Sequence, residues 1–185
     1  YPVITSYRNS KNYGTNWITA GYSLWFLREA KYLNNARMIL GTNCAISGTG
    51  FLISSEIVRK YDGWKFHLLT EDIEFSIASA IEGDRIGYCE KAILYDEQPE
   101  TFRQSWTQRL RWSKGFYQVV WNYGGKLLSK LFKDKNHPFC CYDMFMTIAP
   151  ASLLSLACLL MNIIFLLVAI FQPHYVHALV VLAGK

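Results

Sequence analysis

The chain has 185 residues, 51% of them hydrophobic and 16% aromatic, and a formal net charge of +5. That is enough apolar surface for a packed core, and it excludes a disordered, charge-solvated chain. The five cysteines (Cys44, Cys89, Cys140, Cys141 and Cys158) form no C-x-x-C pair, and the four histidines stand at no metal-ligand spacing. The pattern argues against a zinc site or a disulfide framework and for a reducing compartment. The basic excess is local: Thr101 to His137 holds eight Lys or Arg and one acid, Asp134. Such a patch could serve nucleic acid, but an uncharged apolar run follows at once. That order favours a cytoplasmic stretch beside a membrane, with no nucleic-acid partner. The chain starts at Tyr1 and ends inside an apolar run, so it reads as a piece of a longer protein.

Val3-Ile4-Thr5-Ser6-Tyr7 reads as the end of a strand, with a polar loop from Arg8 to Gly14. Asn16 to about Arg37 has helical periodicity, with Trp17, Tyr22, Trp25, Phe26 and Leu33 at apolar positions, and reads as a packed helix. Gly41 to Gly50 is small and polar, Phe51-Leu52-Ile53 is a short strand, and Ser54 or Ser55 caps a short helix through Arg59. A helix spans Thr70 to Glu82 and stops at Gly83, with the Thr70 hydroxyl expected to cap its first turn. Arg85 to Tyr88 and Ala92 to Tyr95 read as two short strands joined by a turn. Asp96-Glu97-Gln98-Pro99 closes this part, with Asp96 and Glu97 as loop acids.

Thr101 to Trp121 is a basic, aromatic helix. Beyond it, Leu127, Leu128, Leu131 and Phe132 interleave with Lys126, Lys130 and Lys133. The mixture suits a helix lying in the membrane interface with its lysines reaching headgroups, or a soluble amphipathic helix. Met144 to Phe171 carries no charge and exceeds the ~20 residues that span a hydrocarbon core. It predicts a transmembrane helix, with a kink at Pro150 and the Asn162 amide bonded to a neighbouring helix. Gln172-Pro173-His174 predicts a turn, and Val176 the start of a second membrane segment.

Two stretches carry the chemistry. In Thr70-Glu71-Asp72-Ile73-Glu74, three carboxylates gather at a helix start. They suit the positive end of the helix dipole, which is one complete reading. The other is that one carboxylate faces a cleft and acts as a base. In Gln108-Arg109-Leu110-Arg111-Trp112, helical spacing puts Gln108, Arg111 and Trp112 on one face. An amide, a guanidinium and an indole make a poor core stripe but a good site, since Arg forks onto phosphate and Trp offers a flat face to a sugar. A solvated basic helix is the competing reading. Ser47-Gly48-Thr49-Gly50 is a tight turn, or a segment whose missing side chains let a substrate approach the backbone.

Taken in order, Thr70-Glu71-Asp72 and the later Gln108-x-x-Arg111-Trp112, followed by a membrane segment, resemble the family 2 glycosyltransferases of the processive, membrane-embedded kind. Cellulose, chitin, hyaluronan and poly-N-acetylglucosamine synthases belong to that group. The resemblance implies an α/β fold, the C-terminal part of a GT-A domain followed by a transmembrane helix. Residues 1–120 would be the acceptor-side half of the catalytic domain, 121–142 an amphipathic interface segment, and 143–185 a transmembrane region with one full helix and the start of a second. It implies Asp72 as general base, Arg111 with Gln108 on the donor diphosphate, and Trp112 stacked on the acceptor sugar. Glu71 would orient the loop, and Gly48 and Thr49 would line the acceptor channel.

The partners implied are a nucleotide-sugar donor, a glycan or lipid acceptor, and membrane lipids. A divalent cation, Mg or Mn, would be held mainly by residues outside this segment, whose own residues are assigned no metal. The implied location is the plasma membrane, multi-pass, with the catalytic part cytoplasmic. A non-processive enzyme acting on a lipid and a non-catalytic membrane scaffold are the competing expectations.

Overall fold

A computed structural model describes residues 1–133 and 138–171. The turn at Gln172 and the second membrane segment from Val176 lie outside the described residues. The architecture is mixed α/β, as expected. β1 (Val3–Ser10) is the middle of a three-stranded sheet, antiparallel to β2 (Phe51–Ile53) and parallel to β3 (Ile86–Asp96). Two readings change here. Arg8 belongs to β1, not to a loop. The two short strands after Gly83 are one strand, because β3 only slips its register: Cys89 faces Ser6, and Ile93 faces the next residue, Tyr7. The residues between form a bulge that keeps both halves paired with β1.

The helix after β1 starts on a capping box. The Asn16 side chain accepts from the amides of Ile18 (2.9 Å) and Thr19 (3.1 Å), and the Thr19 hydroxyl accepts from the Asn16 amide (3.2 Å). It runs as α1 (Trp17–Leu27), a π-helical stretch (Arg28–Asn34) and α2 (Asn35–Leu40), ending three residues beyond the expected Arg37 on Gly41 in the left-handed region. The next segment, residues 42–46, is buried without being a strand, so its backbone needs partners. Side-chain amides supply them. Asn34 bonds both polar groups of Ala45 (2.9 and 3.0 Å), and the Asn43 oxygen accepts from the Ile86 amide (2.7 Å).

α3 (Ser55–Lys60) is capped by Ser54, and α4 (Glu71–Glu82) is buried from Ile73 through Ile81. α4 is buried all round over this stretch because it is covered on two sides. Phe75 and Ala78 face a cluster with Val3, Ile46, Tyr61, Phe66 and Ile86. Ile73, Ile77, Ala80 and Ile81 face Val119 and Leu127 of α5 (Phe102–Lys133) and Cys141, Met144 and Ile148 of α6 (Pro138–Phe171). α5 continues without a break across residue 120.

Residues Tyr1–Ile148 form one compact unit, and Ala149 opens a second. Within the second, Ser152–Phe171 is a 20-residue helical stretch long and apolar enough to cross a membrane. Among the described residues, the Asn162 amide bonds within its own helix. It donates to the Cys158 carbonyl one turn back, at 2.7 Å.

Candidate functional site

The start of α4, the turn after Ile46 and one face of α5 surround a cavity of about 230 Å³. All seven residues expected at the site line it: Gly48, Thr49, Glu71, Asp72, Gln108, Arg111 and Trp112. Residues not expected there also line it, among them Arg8 from β1, Trp25 and Phe26 from α1, and Glu29 from the π-helical stretch.

The three acids of the α4 start have separate fates. Glu71 is exposed at the rim. Asp72 is half-buried and points at the turn. Burial pushes its carboxyl above the usual range and the neighbouring Glu71 adds to this, while bonds from the Ile73, Gly48 and Asp72 amides pull the other way. Glu74 is buried, and its carboxylate accepts from the Leu68 amide (3.0 Å) and the Tyr123 hydroxyl (2.9 Å). It ties the approach to α4 onto α5 and does not line the cavity.

The Thr70 hydroxyl corrects the capping expectation. Thr70 holds the N-cap position but makes no side-chain cap bond, and its hydroxyl is buried without a hydrogen-bond partner. Its backbone, at φ −125° and ψ 67°, is not in the extended N-cap conformation, and Gly115 of α5 packs against its side chain. A Cβ there would lie 2.5 Å from Thr70 Cγ2 and 2.6 Å from its hydroxyl, so only a glycine lets α5 come this close. That approach sets the motif residues of α5 opposite Asp72. The Gln108 side-chain oxygen is also buried and unpartnered, and Arg111 is exposed with no ion pair among the described residues. An unmatched amide oxygen and an unmatched guanidinium on one cavity wall are groups poised to bond a polar guest. Trp112 stands half-buried with Tyr22 edge-on at 5.8 Å, which fixes the indole beside Phe26 and Phe116.

The turn expected at Ser47-Gly48-Thr49-Gly50 forms, with Gly48 at φ 80° and Gly50 at φ 70°. It is also stitched to its surroundings. Ile46 donates its amide to Ser76 Oγ (2.9 Å), which donates to the Asp72 carbonyl (2.8 Å). Ser47 Oγ donates to Glu29 (2.6 Å). Burial raises the Glu29 carboxyl above its usual range; the Ser47 bond opposes this and Asp72 adds to it.

Arg8 and Glu29 were missed because their roles depend on long-range partners. The one local signal for Glu29 was an acid three residues from Phe26, bordering the buried stripe Tyr22-Phe26-Ala30. Among the described residues, no three His, Cys, Asp or Glu side chains group as metal ligands.

The chain is similar to known proteins. Residues 2–172 match the model of glycosyl transferase family group 2. The chain is 32% identical over 129 residues (70% of its length) to the probable glycosyltransferase YdaM of Bacillus subtilis (strain 168), of which it covers 30%. It is 31% identical over 88 residues (48% of its length) to the poly-beta-1,6-N-acetyl-D-glucosamine synthase of Staphylococcus aureus (strain COL), of which it covers 21%. The chain thus spans less than a third of the length of either relative. With the family model matched from residue 2 to residue 172, the chain belongs to glycosyl transferase family group 2.

Proposed function

We propose that the protein is a membrane-bound, inverting glycosyltransferase that moves a sugar from a UDP-linked nucleotide sugar to a growing β-linked polysaccharide. The observation that supports this most is the convergence of Asp72, Gly48, Gln108, Arg111 and Trp112 on one cavity. The likeness to a poly-beta-1,6-N-acetyl-D-glucosamine synthase favours a polymer over a single addition.

In this reading the acceptor sugar lies against Trp112, with Gly48 and Thr49 offering backbone instead of bulk. Asp72 takes the proton of the acceptor hydroxyl as its oxygen attacks the anomeric carbon from the face opposite the leaving group. A positioned base contributes about 10²–10⁴ in rate. Arg111, with Gln108, neutralises the charge that grows on the departing diphosphate, an interaction that strengthens toward the transition state. Glu71 at the rim orients the loop before α4. The divalent cation of the resemblance would screen the diphosphate from residues mainly outside this chain.

The reading also has Ser152–Phe171 crossing the plasma membrane, with the basic α5 on the cytoplasmic side, since Lys and Arg concentrate just before the apolar run. Lipids would then be standing partners of the protein. The test is a panel of labelled nucleotide sugars offered to membranes carrying the full-length protein. A labelled polymer from one donor is expected. Single-sugar lipid products would favour a non-processive enzyme instead, and no transfer from any donor would sink the proposal.

A further inference from the structure

The Ser47–Gly48 peptide unit sits between two charges. Its carbonyl accepts from Arg8 Nη1 at 2.8 Å, and Gly48 faces the Asp72 carboxylate: a Cβ there would lie 3.8 Å from Asp72 Oδ2, and the Gly48 amide favours the charged form of that carboxyl. In a planar trans peptide the C=O and N–H point in opposite directions, so the guanidinium that holds the carbonyl leaves the N–H end on the side away from it. Donation to the carbonyl polarises the unit and makes its N–H a stronger donor. The site leaves no room for another residue at position 48: φ is +80°, and a Cβ would lie 2.9 Å from Arg8 Nη1.

Arg8 is in turn held in place. Its Nε donates to Asp96 Oδ2 at 2.9 Å and its Nη2 bonds the same oxygen, while the guanidinium carbon lies 4.4 Å from the Phe26 ring centroid. Asp96 is braced by Gln98, whose amide donates to Asp96 Oδ1 at 2.6 Å. With Nε and Nη2 committed to Asp96 and Nη1 to Ser47, the fork is occupied by protein groups. The charged groups around Asp72 in the cavity are Glu71 beside it, Glu29 from the π-helical stretch, Arg8 from β1 and Arg111 from α5.

We propose that Arg8 is a positioning residue for the base: anchored on Asp96, it holds the Ser47–Gly48 peptide so that the Gly48 amide stays on the Asp72 carboxylate and keeps it charged. The inference rests on the reading of Asp72 as general base. Its consequence is a coupling between the end of β3 and the basicity of a side chain at the start of α4.

The test is the pH dependence of kcat/KM for the full-length enzyme. In Arg8→Met the peptide is released, the charged form of Asp72 loses a bond and a nearby cation, and the acid limb moves up by about one pH unit. The KM for the donor changes less than about two-fold, because Arg8 does not touch the diphosphate. Arg8→Lys keeps the cation opposite Asp96, and with it the fold. One ammonium cannot span both Asp96 and the Ser47 carbonyl as a fork does, so its limb rises too, by less. A limb that stays in place in both variants overturns the inference, as does a rise in donor KM that accounts for the whole loss. Asp72→Asn separates the two levels: if it is inactive while the Arg8 limb is unmoved, only the positioning role falls. If it keeps full turnover, the base assignment falls first.

Discussion

Two arginines are drawn into this molecule in the same way and end with different work. Arg37, on α2, forks onto Asp143 of α6 at 2.7 and 3.1 Å, and donates to Thr147 Oγ1 at 2.7 Å. It is buried, and its neighbours are all parts of the frame. Arg8 forks onto Asp96 in similar fashion but sends its remaining nitrogen to the turn that faces Asp72. The Arg37 cluster is closed, with its charges matched by protein groups. The cavity wall is not: the Thr70 hydroxyl and the Gln108 oxygen have no partner, and two carboxyls sit above their usual range. The Arg37 cluster is satisfied by protein groups, whereas the cavity wall holds polar capacity in reserve for what it binds. Substitutions in the first region should therefore change stability, and those in the second should change rate.

The largest effect expected on the cavity side is that of Asp72→Asn, a near-isosteric change that leaves an acceptor for the Gly48 amide. Turnover should fall by about two to four orders of magnitude with nucleotide-sugar binding little changed. Stability should move the other way. A carboxyl whose folded pKa is raised contributes stability below its unfolded pKa and loses it as pH rises through the folded value. At neutral pH the variant should therefore melt no lower than wild type, and any advantage should fade in acid. Thermal unfolding at the two pH values reads this.

On the frame side, Arg37→Met strands Asp143 in a largely buried setting and should cost about 3 kcal/mol of stability. The protein that still folds should keep its acid limb and its donor KM. A variant as stable as wild type but catalytically impaired would erase the distinction between the two arginines. Gly115→Ala lies between the regions. The added methyl meets Thr70, and overpacking there should cost about 1–3 kcal/mol and pull the α5 motif from Asp72, lowering turnover as well. Thr70→Ala in the same chain should recover part of both losses. The smallest effect is that of Glu74→Gln, which weakens the bond to Tyr123 and should cost about 1 kcal/mol with turnover nearly intact. A large loss of rate there would return Glu74 to the site.

Much of this was legible in the sequence because it is written in short spacings. Gln108, Arg111 and Trp112 share a helical face by arithmetic, and Asp72 follows from its place at a helix start. The apolar run to Phe171 needs only length. What was not legible depends on distance along the chain. Arg8 reads as a loop cation until Asp96, 88 residues away, pairs with it. Glu29 reaches Ser47 from a π-helical stretch, whose wider turn shifts the phase on which a helical reading relies. Thr70 has every local mark of a capping residue. Its hydroxyl makes no cap bond where Gly115, on another helix, packs against it. The bulge in β3 likewise looks like a turn until β1 pairs with both halves. Local pattern found residues that line the cavity, and tertiary contact decided which neighbours surround them.

The central claim is that Asp72 is the base and that its environment holds its proton more tightly than an ordinary carboxyl. The pH–rate profile of the full-length enzyme, wild type beside Asp72→Asn, tests it most directly. The account predicts an acid limb in wild type above the usual carboxylate range of about 3.9, and residual activity in Asp72→Asn that has lost that limb. An Asp72→Asn enzyme with near-normal turnover, or with the same acid limb as wild type, would contradict it.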